Sequence, residues 1–108
     1  MSKFDELLDK YQSELKSTTK SAVDGEMLKA VAKGLGPSIY NKDSSMVACS
    51  DQSELDRVKA NFLIKKLGMK DGPNLDAAIK SVCEEYDSRM KYRAVFYYML
   101  AKKLGKSL

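Results

Sequence analysis

Apolar residues recur three and four apart in five stretches of this chain, with polar and turn-forming residues between them. That spacing predicts helices that each bury one face. The first stripe is Phe4, Leu7, Leu8, Tyr11 and Leu15, with Ser2 placed to cap the free amides and Asp5 and Glu6 in the first turn. It dissolves into the polar run from Ser17 to Ser21. Met27, Leu28, Val31, Ala32 and Leu35 form the second stripe behind a candidate cap at Asp24. The third holds Leu55, Val58, Phe62, Leu63 and Leu67, widened by Ile64, behind an Asp51/Glu54 pair that resembles a capping box. Leu75, Ala78, Ile79, Val82, Cys83 and Tyr86 make the fourth, with Asn74 or Asp71 as its cap. In the fifth, Tyr92, Phe96, Met99, Leu100 and Leu104 share one face while Ala94, Tyr97 and Ala101 cover much of the rest. Only a strip through Lys91, Tyr98 and Lys102 is left for water, and a helix apolar on nearly all sides is usually central.

Three of the stripes run into one kind of ending: Lys33-Gly34-Leu35-Gly36, Lys65-Lys66-Leu67-Gly68 and Lys102-Lys103-Leu104-Gly105. Lysine complements the partly negative carbonyl end of a helix, and glycine turns left-handed without steric cost. The segments between these stops share no further pattern, so the likeness is stop chemistry rather than an internal repeat. Pro37 forbids simple continuation, and Pro37 to Tyr40 suits a short helical turn. Asn41 to Ser45 is a turn cluster, and Met46 to Cys49 is too short for a strand assignment, reading as irregular or briefly helical. The fold expected is all-α, an irregular bundle of about five helices with the C-terminal helix central. Residues 1–108 form a single helical domain, in which 1–23 is an N-terminal helix and polar linker, less tightly packed than the remainder.

Composition adds exclusions. At 108 residues, 44% hydrophobic and 31% charged, the chain suits one globular domain. Its longest strictly apolar run, Ala94 to Ala101, is far short of the roughly 20 residues that span a bilayer, so no membrane partner is expected. The start, Met1 to Glu6, lacks the basic and apolar stretches of a secretory signal, which makes the cytoplasm the expected address. There is no histidine, which removes classical triads, Cys-His pairs and mixed Cys/His zinc sites. Cys49 and Cys83 lack CxxC spacing and sit in apolar company, so in a reducing compartment they read as buried thiols, although a bridge is not excluded by sequence. No catalytic, cofactor-binding or metal-ligating residue is assigned, and no cofactor is expected.

Charge is uneven within a net +4. From Asp71 to Asp87 one lysine stands against five acids, whereas after Asp87 there are six bases and no acid. Those bases interleave with Tyr92, Phe96, Tyr97 and Tyr98, an arrangement a nucleic-acid surface can use. Against that, the aromatics fall on faces a bundle would bury. The bases Arg89, Lys91 and Arg93 also lie near Glu84, Glu85 and Asp87, with which they can pair. A helix-turn-helix is disfavoured because the connection from Gly68 to Asn74 is too long. The stretch from Gly34 to Ser53 is the most site-like, a long connection holding Tyr40, several hydroxyls and Cys49. Its Gly34-x-Gly36 closes a helix, so it is no phosphate-binding fingerprint. The adjacent acids Glu84 and Glu85 point to different sides of a helix and read as a solvated face.

Three segments, Leu28 to Asn41, Asn61 to Gly68 and Lys91 to Tyr98, resemble a family of short bacterial proteins catalogued only as a domain of unknown function. The likeness covers most of the chain beyond about Asp24. It implies a helical bacterial cytosolic protein, with no assigned activity or functional residue to transfer.

These observations point to a small non-enzymatic interaction module whose partner is another protein or a second copy of itself, with Tyr40, Lys91, Tyr98 and Lys102 as the candidate surface. The alternative is a nucleic-acid accessory protein using the basic C-terminal segment, which requires Arg89, Arg93, Lys102 and Lys103 on one exposed face. A third reading is an enzyme working through Cys49 or a lysine near the Gly34 to Ser53 loop.

Overall fold

Asp24 turns its carboxylate back onto the Met27 amide at 3.1 Å and so starts α2 (Gly25–Leu35). Asp51 does the same for Ser53 and Glu54, at 3.0 and 3.4 Å, at the head of α3 (Gln52–Val58). Each cap satisfies amides that the first helical turn leaves without an internal acceptor. These elements belong to a computed structural model that describes residues 3–19, 23–40, 46–86 and 91–105. The other helices are α1 (Lys3–Thr19), α4 (Pro73–Glu85) and α5 (Arg93–Lys103). A 3-10 turn, Gly36–Tyr40, closes α2 where a short helical turn was expected. The cap expected at Ser2, the turn cluster 41–45, Asp87 and Arg89 lie outside the described residues.

Helix ends follow the stop chemistry. Gly36, Gly68 and Gly105 have φ of 62°, 69° and 70°, the left-handed region that costs other residues about 1–2 kcal/mol. Gly34, by contrast, stays inside α2. Three local expectations need correction. The start of α4 is set by neither Asn74 nor Asp71: Gly72 occupies the cap position without a side-chain bond and Pro73 takes the first turn, where its missing N–H is no loss. The capping box at α3 is one-sided, because the Glu54 carboxylate turns to Arg57 and Arg93 instead of back to Asp51. The third helix is not uniform, since α3 passes into a π-helical segment, Lys59–Ile64. There Lys65 and Leu67 donate to carbonyls five residues back, at Ala60 and Phe62, at 3.1 and 2.9 Å. The wider turn keeps Val58, Phe62 and Leu63 all buried.

Every residue from Ala94 to Ala101 in α5 is buried, and α5 packs against α1, α2 and α4. Around it lie Tyr11 and Leu15 of α1, Leu28 and Val31 of α2, and Leu75 and Val82 of α4. Burying a side chain of this size contributes about 1.5–3 kcal/mol. Two phenols inside the core have polar partners: the Tyr98 hydroxyl accepts from the Asp24 amide at 2.8 Å and that of Tyr86 from the Tyr92 amide at 3.2 Å. Met46 and Tyr92 form an isolated antiparallel bridge, with the Val47 amide donating to the Lys91 carbonyl at 2.8 Å. Among the described residues there is no strand, and no helix long and apolar enough to cross a membrane.

Cys49 and Cys83 are bonded to each other. That overturns the expectation of two buried thiols. The loop before α3 lies against α4 and brings together sulfurs 34 positions apart, a proximity that no spacing rule encodes.

Candidate functional site

A cleft of about 150 Å³ opens between the C-terminal end of α2 and the π-helical segment. Its walls are Val31, Leu35, Phe62 and Tyr97, and its polar rim is Asn61 and Lys66. Gly34 makes room for the rim: a Cβ there would overlap the Lys66 ammonium and stand 3.1 Å from its Cε. Those atoms are the far end of a flexible side chain, so a side chain at 34 would displace the Lys66 ammonium rather than strain the helix. The π-helical turn sets the floor by presenting Phe62 flat against Tyr97, with ring centroids 4.1 Å apart and planes 20° apart. Single π-turns inside helices occur frequently at functional sites.

The floor is held from behind. Arg93 donates to the Tyr97 hydroxyl at 3.0 Å and to the Met46 carbonyl at 3.1 Å, and its guanidinium also engages the Glu54 carboxylate. Glu54 accepts a further bond from Arg57 at 3.0 Å. The Glu54 and Arg93 side chains are only 14% and 15% exposed. Burial disfavours the charge on Arg93, yet Tyr97 and Glu54 more than offset it and leave its pKa above the usual arginine value. Glu54, Arg93, Tyr97 and Phe62 thus form one continuous support from α3 through α5 to the cleft.

The four residues proposed from sequence as a surface differ in exposure. Tyr40 is 44% exposed, the one large hydrophobic side chain so exposed among the described residues, with the Lys3 ammonium 5.7 Å from its ring centre. Lys102 is exposed and Lys91 half-buried. Tyr98 is a correction: at 4% exposure it is a core residue, because the α2 cap covers it and uses its hydroxyl as an acceptor. The basic segment is likewise divided. Arg93 reaches Glu54, and Glu85 binds Lys103, while Arg89 and Asp87 of the expected pairing lie outside the described residues. Phe96, Tyr97 and Tyr98 are buried, so these rings offer no stacking face to a base. Neither Phe62 nor Lys66 is singled out by the sequence. The available signal is the pair of glycines at 34 and 36, where one suffices for a stop.

The model of the family described as protein of unknown function (DUF2853) matches residues 10–108. The chain belongs to that family. Among curated proteins none is similar to it at a significant level. The matched region takes in α2 through α5 and all but the first turns of α1, so the whole cleft and its support lie within the DUF2853 domain.

A second cavity of this DUF2853 domain, of about 280 Å³, lies on the other side of α3 from the arginine network, lined by Cys49, Gln52, Leu55, Asp76, Ile79, Lys80 and Cys83. With Cys49 in a disulfide, an enzyme using it as a free thiolate loses its nucleophile in this oxidised form. Nearby, Lys59 bonds to Asp76 and Asp71 at 3.1 and 3.2 Å. Those bonds raise its pKa above the lysine norm. The hydrogen bond from Lys103 lowers that of Glu85.

Proposed function

We propose that this DUF2853 domain is a small non-enzymatic interaction module that docks onto another protein by taking one apolar side chain of its partner into the α2 cleft. Cleft volume carries the reading. Small-molecule sites commonly enclose about 300–1,000 Å³, whereas about 150 Å³ is the size of an engineered core cavity that accepts a benzene-sized group. One leucine or phenylalanine anchor fits such a space. Lys66 forms no ion pair among the described residues, which supports a partner that places an acidic residue beside its anchor. Aromatic-floored pockets of this kind concentrate binding energy in a few residues.

The test is capture of partners from the native cell with the wild-type chain and with Lys66→Glu and Gly34→Leu. The first reverses the rim charge and the second fills the cleft. The reading expects a specific protein recovered by the wild type and lost with both variants, while circular dichroism and melting curves of Lys66→Glu stay unchanged. Equal recovery by all three, or none by the wild type together with a monomer in sedimentation, refutes it.

A further inference from the structure

The Cys49–Cys83 bridge is not sealed in the core. Both cysteines are half-buried and form part of the wall of the second cavity, beside Gln52 and Leu55 from α3 and Asp76, Ile79 and Lys80 from α4. The polar groups around the sulfurs are unequally committed. Asp76 is held by Lys59 at 3.1 Å, and the Gln52 amide donates to Asp56 at 2.9 Å. Lys80 has no ion pair among the described residues and stands three positions before Cys83, on the same face of α4. A reducible bond, an apolar wall from Leu55 and Ile79, and one uncommitted cation therefore open onto a single space.

We propose that this cavity is a thiol–disulfide exchange site for small anionic thiols, with Lys80 attracting the anionic group and the Cys49–Cys83 bond as the electrophile. The incoming thiolate sulfur bonds to the Sγ of one cysteine. The S–S bond breaks, and the other cysteine leaves as a thiolate with the bonding pair. A second thiolate attacks the mixed disulfide at the adduct's sulfur, releasing the small thiol as its own disulfide and leaving two protein thiols. Two small thiols are oxidised and one protein bridge is reduced, so no other reductant is needed. Opening the bridge releases the Met46 to Asp51 segment from α4 but leaves its bonds to Lys91 and Arg93 intact. The two cavities share no lining residue, and this inference stands or falls apart from the partner cleft.

The test treats the oxidised full chain in native buffer at low salt with 2-mercaptoethanesulfonate and, separately, with 2-aminoethanethiol. Acid quenching and mass spectrometry read the mixed disulfide. The ratio of the two rates, compared between wild type and Lys80→Glu, cancels the intrinsic reactivity of each thiol. The proposal expects adduct formation to rise linearly with thiol concentration in the folded chain. It also expects the anionic preference to fall about fivefold in Lys80→Glu, as the charge at an exposed site is reversed. Lys80 is exposed, and the variant's circular dichroism is expected to match the wild type. A rate independent of thiol concentration, meaning that the bridge opens only on unfolding, overturns the proposal. So does a ratio unchanged in Lys80→Glu.

Discussion

Reducing the Cys49–Cys83 bridge tests how the segment before α3 is fixed to α4. The two positions are 34 apart, and the chain-entropy relation for a loop of that length gives about 3.8 kcal/mol at 25 °C. A compact denatured chain already restricts such a loop, so the measured loss is expected at about 2–4 kcal/mol. The native contacts of α4 do not depend on the sulfurs, since Leu75, Ile79 and Val82 hold it in the core. The reduced chain should therefore stay folded with an unchanged helical spectrum. Urea denaturation of the oxidised chain, the reduced chain and the Cys49→Ser/Cys83→Ser double variant measures the difference. The reduced form and the double variant should agree, and both should show a larger m-value, because an untethered denatured chain exposes more surface. In a thermal scan the same loss corresponds to a fall of roughly 10–20 °C for a domain of this size. Equal stabilities for oxidised and reduced chains, within about 0.5 kcal/mol, would refute the entropic argument.

Two further perturbations probe the core. Arg93→Ala removes the less exposed of the two cations on a Glu54 carboxylate that is 14% exposed, leaving only Arg57, and should cost about 3 kcal/mol, as for other buried pairs broken on one side. Arg57→Ala acts on the same carboxylate from a side chain 63% exposed and should cost below about 1 kcal/mol; equal losses in urea melts would show the network to be misassigned. Tyr11 concerns alkaline stability: its hydroxyl is buried without a hydrogen-bond partner among the described residues, and burial, with Tyr92 and Tyr40 nearby, pushes its pKa from 10.0 to about 12. The unfolded chain loses that proton first, so the contribution is complete below pH 10 and is lost as pH rises through about 12. Tyr11→Phe should leave stability at pH 7 unchanged or raise it by up to about 1 kcal/mol, and should flatten the fall between pH 10 and 12 by one proton; a loss above about 1 kcal/mol at pH 7 means that the hydroxyl has a partner.

Much of the fold is legible in the sequence because local chemistry and burial agree. The Asp24 and Asp51 caps, the left-handed glycines and the apolar stripes all act within a few residues of the chain, where a 3.6-residue period and a cap preference are informative. The site is mostly illegible because its determinants are long-range. Cys49 and Cys83 meet across 34 positions, Arg93 and Glu54 across 39, and Tyr98 and Asp24 across 74. A helical wheel drawn for Tyr98 alone places it beside lysines and in water, since it holds no information about the α2 cap that covers it. The π-helical turn is hidden for another reason. Val58, Phe62, Leu63 and Leu67 fit an α-helical stripe as well as a widened one, so the stripe alone does not separate the two.

The support of the cleft shows why stability and recognition are coupled here, and how they can be told apart. Tyr97 is at once a buried residue of α5 and the floor on which Phe62 stacks, and Arg93 fixes it with a guanidinium whose other bonds tie Met46 and Glu54 to the same helix. Any loss of Arg93 therefore moves the floor and the core together, so a binding defect in that variant says little about recognition. Lys66 differs because it touches the cleft only at its rim and carries no ion pair among the described residues. A variant at Lys66 that melts like the wild type but no longer binds isolates the charge on the rim from the packing beneath it, and a variant at Arg93 cannot.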